Sequence, residues 1–450
     1  MHTSVTAQLA EFICETRQSS LPDAALDVAR TALIDCSAAM LAGSNSASTM
    51  IVLSQLDTLN VCKEAHVVFG ANMASAIEAA LVNGVAAHAL EYDDVGLLGH
   101  PSAVLLPAIL AYGEYYGVAG AALLRAYIVG YEVWDRLIER EPNSYHTKGW
   151  HTTSVLGAVA AAAAVANLAV LDRWQCANAL GLATAMSSGI RAHFGTMTKP
   201  FQAGWAASVA VRAVKLAAAG FTASVTALEH AGGLLRALSP DGAVDLTSPV
   251  QGLGSIWSIV DRGLRFRKYP ICYGGARVID ATLELRKWHR IDIEAIQRVN
   301  VLTGENQTRM MRFHDPKSAD EARFSLEFAV ACALAIGRVG PYETSDDFIH
   351  RPDIQQLMKR VYITSHKGVS SDDIRFGSFD QVEIVLGSGD VICSGPVSFA
   401  HGHPSVPLTG DEIKEKFTSA ARYGGWQGGV EALLERLQKV EMLSSLGELF

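Results

Sequence analysis

The 450-residue sequence lacks most of the short motifs that mark nucleotide, zinc-protease or serine-hydrolase sites. No Gly-x-Gly-x-x-Gly follows a predicted strand, and no Gly-x-x-x-x-Gly-Lys-Ser/Thr, His-Glu-x-x-His or Gly-x-Ser-x-Gly segment is present. His401 and His403 flank a glycine in a proline-containing turn with no third ligand nearby, so we predict no metal. These absences favour acid/base chemistry by side chains without a metal or an organic cofactor.

Cysteine is scarce and scattered. The seven cysteines never form a Cys-x-x-Cys pair, which predicts reduced thiols in a cytosolic protein. The N-terminus lacks the basic and apolar regions of a signal peptide. The most apolar stretch, residues 155–171, contains Gly157 and Asn167 and is marginal in length for a membrane span. We therefore expect a soluble cytoplasmic protein with no membrane partner.

Charge is also sparse, at 18% of residues, and the net charge is −9 with no long basic run. Phosphate binding needs a basic surface, so this balance excludes nucleic acid as an expected partner. A small anionic substrate remains compatible with local basic groups, of which the sequence has two: Arg191, His193 and Lys199, and Arg265, Arg267 and Lys268.

The chain has material for a large core, since 49% of its residues are hydrophobic, and its length predicts two or three domains. From about residue 4 to 240 the apolar residues recur at helical spacing, and alanine pairs and runs permit close packing of helices. The tail from 411 to 449 is helical again. We predict a mainly α fold whose large all-α helical domain comprises residues 1–258 together with 405–450.

The pattern changes near residue 255. Period-two alternation predicts strands, and longer apolar periodicity predicts helices at 276–288 and 324–336. The predicted strands are 298–303, 361–364 and 381–386, the last forming a hairpin with 391–393. We predict a smaller α+β lid domain over residues 259–404.

A polar island, Arg191 to Pro200, interrupts two alanine-rich helical segments. Pro200 fits the first turn of the second helix, because that position loses only an N–H that has no partner in the helix. Lys199 then lies near a helix N-terminus, which attracts anions and disfavours a second positive charge. Lys199 is thus a candidate to bind a carboxylate or to move a proton.

An acidic cluster, Glu91-Tyr92-Asp93-Asp94, follows a predicted helix and precedes His100 in a glycine-containing loop. Carboxylates are unfavourable at a helix C-terminus, so another interaction should hold them there. They cap the next helix, are solvated, or act with His100 in acid/base chemistry.

Two further segments are candidate sites. Tyr145, His146, Lys148 and His151 crowd the approach to the apolar helix near residue 155, which predicts a functional loop. Arg267 and Lys268 lie at the predicted domain boundary. A boundary is a common place for a binding cleft, although a solvated basic patch would have the same composition.

These constellations, in this order, resemble the MmgE/PrpD family, which includes dehydratases, decarboxylases and an epimerase of small polycarboxylates. The matching stretches are Asn83-Gly84 to His88, Glu91-Tyr92-Asp93-Asp94, His100-Pro101-Ser102 to Pro107, Gly149-Trp150-His151-Thr152-Thr153, Gly195-Thr196-Met197-Thr198-Lys199-Pro200, Lys268-Tyr269-Pro270-Ile271-Cys272 and Arg323-Phe324-Ser325-Leu326. The resemblance implies a homodimer, a small di- or tricarboxylate substrate, and a site between the domains that needs no metal or organic cofactor. It places the family's acidic cluster on 91–94, its histidines on His100 and His151, and its lysine on Lys199.

Two departures from the family pattern concern the substrate. Glu91-Tyr92-Asp93-Asp94-Val95 stands where dehydratases and decarboxylases tend to read Asp-Phe-Asp-Asp-Thr, and Arg267 stands where they have a lysine. Arginine keeps the charge for carboxylate binding but does not transfer protons.

The preferred hypothesis is a cofactor-independent lyase that dehydrates or decarboxylates a di- or tricarboxylate by proton transfer at carbon. The catalytic candidates are Asp93, His100, Tyr145, His151 and Lys199, and the substrate-binding candidates are Glu91, Asp94, Arg191, Arg267 and Lys268. One alternative is an epimerase of an iminodisuccinate-like dicarboxylate with Lys199 and Tyr145 as opposed bases, which Val95 slightly favours. A further alternative is a non-catalytic carboxylate-binding protein.

Overall fold

A computed structural model describes residues 4–57, 59–371, 373 and 375–450. The chain divides into two compact units. Unit 1 comprises Met1–Ala89, Asp93–Leu264 and Asp411–Phe450, and unit 2 comprises Leu90–Tyr92 and Arg265–Gly410. The predicted mainly α fold with a smaller α+β region is confirmed.

Helices dominate the described residues. In chain order they are α1 (Val5–Glu15), α2 (Asp23–Gly43), α3 (Ala47–Ser54), α4 (Ala76–His88), α5 (Ser102–Tyr115), α6 (Gly120–Ile138), α7 (Thr152–Val155), α8 (Gly157–Leu168), α9 (Arg173–Met186), α10 (Thr198–Ala218), α11 (Leu234–Leu238), α12 (Ser258–Asp261), α13 (Ala276–Trp288), α14 (Glu305–Met310), α15 (Ala319–Ala322), α16 (Leu326–Ile336), α17 (Asp346–Ile349), α18 (Pro352–Met358), α19 (Gly410–Tyr423) and α20 (Val430–Gln438). Short 3₁₀ turns occupy Tyr145–Lys148, Arg191–His193, Tyr273–Gly275, Val440–Met442 and Leu446–Leu449.

Serine and aspartate side chains start several of these helices. The Ser75 hydroxyl accepts the Glu78 N–H at the start of α4, and Asp172 accepts the Gln175 N–H at the start of α9. Such caps satisfy backbone donors that have no partner inside the helix. The first residues of α4 and α9 are therefore determined locally by the sequence.

The core of unit 1 is formed by close contacts between small residues. Every residue of α8 is buried. Where α4 and α10 pack together, a Cβ on Gly84 would lie 2.6 Å from the Gly204 Cα, and a Cβ on Gly204 would lie 2.2 Å from the Leu81 carbonyl oxygen. Only glycine permits this approach, which brings the end of α4 next to the beginning of α10.

Two details of unit 1 differ from the sequence prediction. The predicted apolar helix at 155–171 is divided between α7 and α8, with Leu156 at the join. A two-residue strand pair, β1 (Ala65–His66) with β2 (Met73–Ala74), also lies in the region predicted to be free of strands. Two-residue strands are too short to show period-two alternation, so the sequence pattern did not predict them.

Unit 2 contains a four-stranded sheet in the order β4-β3-β5-β6. The strands are β3 (Ile296–Gly304), β4 (Val361–His366), β5 (Gln381–Leu386) and β6 (Val391–Cys393). β3 pairs parallel with β4 and antiparallel with β5, and β5 and β6 form the predicted hairpin. Helices α13 and α16 pack with the sheet strands and supply the apolar side of the unit.

Within the described ranges, no helix is both long enough and apolar enough to cross a membrane.

Candidate functional site

A buried cluster of two histidines and an aspartate lies in unit 1, just beyond the end of α4. His88, the last residue of α4, has its Nδ1 2.9 Å from Asp93 Oδ2. His100 Nδ1 lies 3.3 Å from the same oxygen, and the two imidazole rings are 4.5 Å apart between centroids. One carboxylate oxygen therefore lies near both imidazoles.

The loop that carries His100 is a tight turn with strained backbone. Gly96 and Gly99 exchange two backbone hydrogen bonds of 3.1 and 2.7 Å, and Leu97 and Leu98 between them have φ angles of 49° and 54°. Positive φ is costly for a side chain such as leucine and persists only where surrounding contacts over-determine it. This turn directs His100 back towards Asp93.

Asp94 does not face solvent. Its carboxylate accepts from both the backbone N–H and the hydroxyl of Ser102, the first residue of α5, and that hydroxyl lies 2.7 Å from the Tyr127 hydroxyl. Burial raises the pKa of Asp94 to about 7. Its backbone carbonyl oxygen accepts from His100 Nδ1 at 2.9 Å. The contacts of Asp94 thus hold the histidine loop against α5.

The third imidazole, His151, is fixed by a glutamine on α10. His151 Nδ1 lies 2.7 Å from Gln202 Oε1, while Gln202 Nε2 donates to the Ile190 carbonyl oxygen at 3.2 Å. The Ile190 contact determines which end of the amide faces the histidine. Because Oε1 only accepts, His151 Nδ1 carries the proton and Nε2 has the lone pair.

The same reasoning applies to the other two histidines. The Nδ1 partners of His88 and His100 are a carboxylate and a backbone carbonyl, which are acceptors, so Nδ1 is the protonated nitrogen in each ring. Among the described residues, neither His88 Nε2 nor His151 Nε2 has a hydrogen-bond partner, and both atoms are buried. The rings of His88 and His151 stack 5.9 Å apart. The two rings that carry buried lone pairs are thus neighbours.

Burial keeps these two imidazoles neutral. It lowers the pKa of His151 to about 3, and it lowers the pKa of His88 well below its usual range, with the positive charge of Lys199 adding to the effect. Both side chains are therefore neutral at pH 7, and Nε2 of each can accept a hydrogen bond.

Lys199 is buried in the first turn of α10, as the sequence predicted for its place near a helix start. Its Nζ lies 5.2 Å from the centroid of the Phe194 ring, and the Arg191 guanidinium carbon lies 5.8 Å from the same centroid. The His151 ring contacts Phe194 edge-on at 4.9 Å. The 191–200 island thus gathers two cations and one neutral imidazole around a single aromatic ring.

Two loops pair their backbones to hold this arrangement. Arg191 N–H donates to the Gly149 carbonyl at 2.9 Å, and His151 N–H donates to the Gly189 carbonyl at 3.1 Å. Gly189 has a φ of 132°, and a Cβ there would lie 2.7 Å from the Ser154 Cβ. Two backbone hydrogen bonds therefore join the loop before α7 to the loop after α9.

Tyr145 is bonded through its hydroxyl to the backbone of α6. Its hydroxyl donates to the Leu137 carbonyl oxygen at 3.4 Å, and burial raises its pKa. Its neighbour His146 bonds Thr152 at 2.9 Å.

In unit 2, two predicted substrate-binding residues bind each other. Arg267 is fully buried and its Nη1 lies 2.5 Å from Glu91 Oε2. Glu91 has a φ of 52°, in the left-handed region. The pair anchors the segment Leu90–Tyr92 to the rest of unit 2. Lys268, which follows Arg267 in the sequence, is half-buried. Its positive charge opposes the effect of burial, which raises the pKa of Asp280.

The His88, Asp93 and His100 side chains could also hold a metal ion. One ligand atom from each lies within 4.8 Å of the others. Two imidazoles and a carboxylate are ligands that zinc accepts, although three protein ligands leave its shell open. In the structure Asp93 Oδ2 accepts from His88 Nδ1 and lies 3.3 Å from His100 Nδ1.

Sequence reasoning missed two residues of this cluster. His88 was noticed only as part of a matching stretch, yet it lies five positions before Asp93 at a helix end. Gln202 was not noticed at all, although its position three residues after Lys199 puts both side chains on one face of a helix. A search for polar side chains among the buried alanines of α4 and α10 would have found both.

Two family models match most of the chain. The MmgE/PrpD N-terminal domain matches residues 7–247 and the MmgE/PrpD C-terminal domain matches residues 269–436. The mouse cis-aconitate decarboxylase is 28% identical over 385 residues, covering 81% of this chain and 76% of the mouse protein. The human cis-aconitate decarboxylase is 26% identical over 474 residues, covering 98% of this chain and 93% of the human protein. A cis-aconitate decarboxylase from Aspergillus terreus (strain NIH 2624 / FGSC A1156) is 24% identical over 417 residues, covering 87% and 84%. The chain belongs to the MmgE/PrpD family and is a lyase of the MmgE/PrpD type.

Proposed function

We propose that this chain is a cofactor-independent lyase of small tricarboxylates, and that decarboxylation of cis-aconitate is the first reaction to test. The observation that carries the proposal is the meeting of two neutral imidazoles, His88 and His151, with the buried cation Lys199. The names of the relatives supply the candidate substrate.

The reaction requires both a proton and positive charge. When cis-aconitate loses carbon dioxide, one C–C bond breaks and one C–H bond forms, so one proton is taken up from the site for each molecule converted. The electron pair left by the departing carboxylate must be stabilised until that proton arrives. Positioned proton donors of this kind contribute about 10²–10⁴-fold to rate.

The residues of unit 1 divide these tasks. Lys199 and Arg191, grouped around Phe194, would bind the carboxylates that remain on the substrate. His151 Nε2 has the lone pair, since its Nδ1 donates to Gln202, so His151 would accept a hydrogen bond from the substrate. The proton that the reacting carbon takes up would come from Lys199 or His100. His88 would accept a hydrogen bond from a protonated carboxyl or water in the same way.

His100 and Asp93 would form the partner acid. His100 is oriented through Nδ1, which contacts both the Asp94 carbonyl and Asp93. An adjacent carboxylate stabilises an imidazolium as it forms, which suits a group that alternates between acid and base. In this proposal Asp94 and Ser102 position His100 and do not touch substrate.

In unit 2, Lys268 is a candidate to bind a carboxylate, since its side chain is half-buried. Arg267 already has Glu91 as a counter-charge, which weakens it as a carboxylate clamp and suits a structural role for both. Arg267 would then hold the backbone that carries the neighbouring Lys268 through its ion pair with Glu91.

The two-base epimerase receives less support. It needs a second base opposite Lys199, and the Tyr145 hydroxyl is buried, donates to Leu137 and has a raised pKa. Dehydration of a hydroxylated tricarboxylate uses the same groups as decarboxylation, and only turnover distinguishes them.

The primary test is an NMR turnover screen in deuterated water with citrate, 2-methylcitrate, cis-aconitate and iminodisuccinate. We expect cis-aconitate to lose carbon dioxide and to acquire one deuteron at carbon. Inversion of iminodisuccinate with deuterium incorporation would establish the epimerase instead. Thermal stabilisation by these ligands without conversion of any would favour the non-catalytic alternative.

Variants then locate the chemistry. Lys199→Met and His151→Gln are expected to lower kcat/KM by about 10²–10⁴-fold while keeping the thermal unfolding temperature close to that of the wild type. Lys215→Met, which removes a lysine from the same helix at the Tyr115 ring, is the matched control. Full turnover in Lys199→Met would refute the assignment.

A chelation experiment tests whether His88, Asp93 and His100 hold a metal ion that turnover requires. Turnover is expected to persist after dialysis against EDTA. Loss of activity on chelation, restored by added Zn²⁺, would replace the proposal with metal-assisted chemistry at His88, Asp93 and His100.

We also propose that the protein is a cytoplasmic homodimer without nucleic-acid partners, as the family resemblance, the unpaired cysteines and the net charge of −9 favour. Light scattering after size exclusion should give twice the 48.0 kDa chain mass. A mass of one chain at micromolar concentration would contradict the dimer.

A further inference from the structure

Two cysteines in unit 1, Cys14 and Cys176, lie in contact. Cys14 is on α1 and Cys176 is on α9, 162 positions apart in sequence, and their sulfur atoms are 3.8 Å apart. Both sulfurs also contact the Leu171 carbonyl oxygen, at 3.4 Å from Cys14 and 3.5 Å from Cys176. The packing of α1 on α9 thus places the two thiols close enough for a small movement to join them in a disulfide.

The charges around the pair favour a thiolate. The Arg17 Nη2 lies 4.0 Å from the Cys176 sulfur, and the same guanidinium is held by the carbonyl oxygens of Ala166 and Asn167 at 3.0 and 3.2 Å. These carbonyls keep the cation beside the sulfurs. A fixed positive charge is one of the features that make a cysteine reactive.

The two thiols have different roles. The hydrogen bond from Cys176, together with the charges of Arg17 and Arg173, lowers the pKa of Cys14 to about 6, whereas that of Cys176 is raised by its bond to Cys14 and by burial. Cys14 is half-buried and Cys176 is fully buried. Cys14 is therefore the sulfur that a solvent-borne oxidant meets, and Cys176 is the thiol behind it.

We propose that Cys14 and Cys176 form a redox-active pair that hydroperoxides oxidise to a disulfide joining α1 to α9. In the first step the Cys14 thiolate attacks the hydroperoxide, the O–O bond breaks, and Cys14 becomes a sulfenic acid while an alcohol or water leaves. In the second step the Cys176 sulfur attacks the sulfenic sulfur, the S–O bond breaks and water leaves. Two thiol hydrogens are lost and one S–S bond is formed.

Three other cysteines differ from this pair in burial and reactivity. Cys36 and Cys332 are buried, and burial raises the pKa of each well above its usual value. Cys393 is exposed on β6. An unselective oxidant would reach Cys393 first, so oxidation at Cys14 ahead of Cys393 distinguishes the proposed site from simple accessibility.

The disulfide should change stability more than turnover. It closes a loop of 162 residues, and long loops gain most from a cross-link in the chain-entropy view. We expect the thermal unfolding temperature to rise by about 3–5 °C on oxidation. The pair does not belong to the proposed catalytic groups, so an inactive preparation still tests it.

The experiment treats the purified full chain with hydrogen peroxide and then quenches, digests without reductant and maps peptides by mass spectrometry. The expected result is a Cys14–Cys176 cross-linked peptide, a fall in titratable thiols from seven to five, and recovery of all seven on adding dithiothreitol. Cys393→Ser, the matched control, should form the same cross-link at the same peroxide dose.

Two variants separate the steps. In Cys176→Ser, Cys14 should accumulate as a sulfenic acid that dimedone traps, because the second thiol is missing. In Cys14→Ser, Cys176 should remain reduced. Loss of the Cys393 thiol before Cys14, or direct conversion of Cys14 to a sulfinic acid in the wild type without a cross-link, would overturn the proposal.

Discussion

Replacing His151 with glutamine tests the electrostatics of the site through stability. In the folded chain, burial lowers the pKa of His151 to about 3 from an ordinary value of 6.5. A group whose folded pKa is depressed binds fewer protons when folded than when unfolded. Its stabilising contribution is therefore complete above pH 6.5 and is lost as the pH falls towards 3.

The magnitude follows from the two pKa values. Each pH unit between them changes the free energy of unfolding by about 1.4 kcal/mol, which amounts to about 3 kcal/mol between pH 7 and pH 4. His151→Gln keeps a donor for Gln202 Oε1 but does not titrate. The difference in unfolding free energy, wild type minus variant, should therefore decrease by about 3 kcal/mol over this range.

The assay is urea denaturation at half-unit steps from pH 4 to pH 8, followed by tryptophan fluorescence. His88 titrates in both proteins, so its contribution cancels in the difference. His289→Gln, at an exposed position, is the control for removing an imidazole. If the wild-type and His151→Gln curves run parallel over the whole range, His151 is not held neutral by burial and the reasoning fails.

Three further predictions concern other contacts. Asp94→Asn should show the opposite pH trend to His151→Gln, because the Asp94 pKa of about 7 means that the wild type loses stability as the pH rises from 4 to 8. The difference in unfolding free energy, wild type minus variant, should therefore fall by about 4 kcal/mol from pH 4 to pH 8 in the same denaturation series. Gly204→Ala should destabilise the chain by about 2 kcal/mol or more by calorimetry, because the new Cβ would meet the Leu81 carbonyl oxygen at 2.2 Å. Glu91→Gln should cost about 3–5 kcal/mol of unfolding free energy, because it removes the carboxylate that faces buried Arg267.

Controls make these predictions refutable. Gly410→Ala adds a Cβ where no atom lies within 4 Å and should be close to neutral, so equal effects at Gly204 and Gly410 would contradict the packing argument. A double variant with methionine at both 91 and 267 should recover part of the Glu91→Gln loss, since no charge remains buried. A pH-independent Asp94→Asn difference would show that Asp94 is ionised throughout.

Much of the fold was predictable from local patterns. The predicted strands at 298–303, 361–364 and 381–386 lie within β3, β4 and β5, and the predicted helix at 276–288 coincides with α13. Periodicity is a local property, and capping residues such as Ser75 lie within three residues of the N–H they bind. The packing of α4 on α10 was not predictable, because it depends on two glycines 120 positions apart meeting at one point.

The candidate site shows the same division. The sequence by itself determined which polar groups were available, including Lys199 at a helix start and histidines in glycine-containing loops. Only the tertiary structure decided which nitrogen of His151 has the lone pair, because that depends on Gln202 and Ile190, which come from a different helix and loop. It also decided that Glu91 and Arg267 neutralise each other, because two charges 176 positions apart interact strongly only when folding brings them together and removes the water between them.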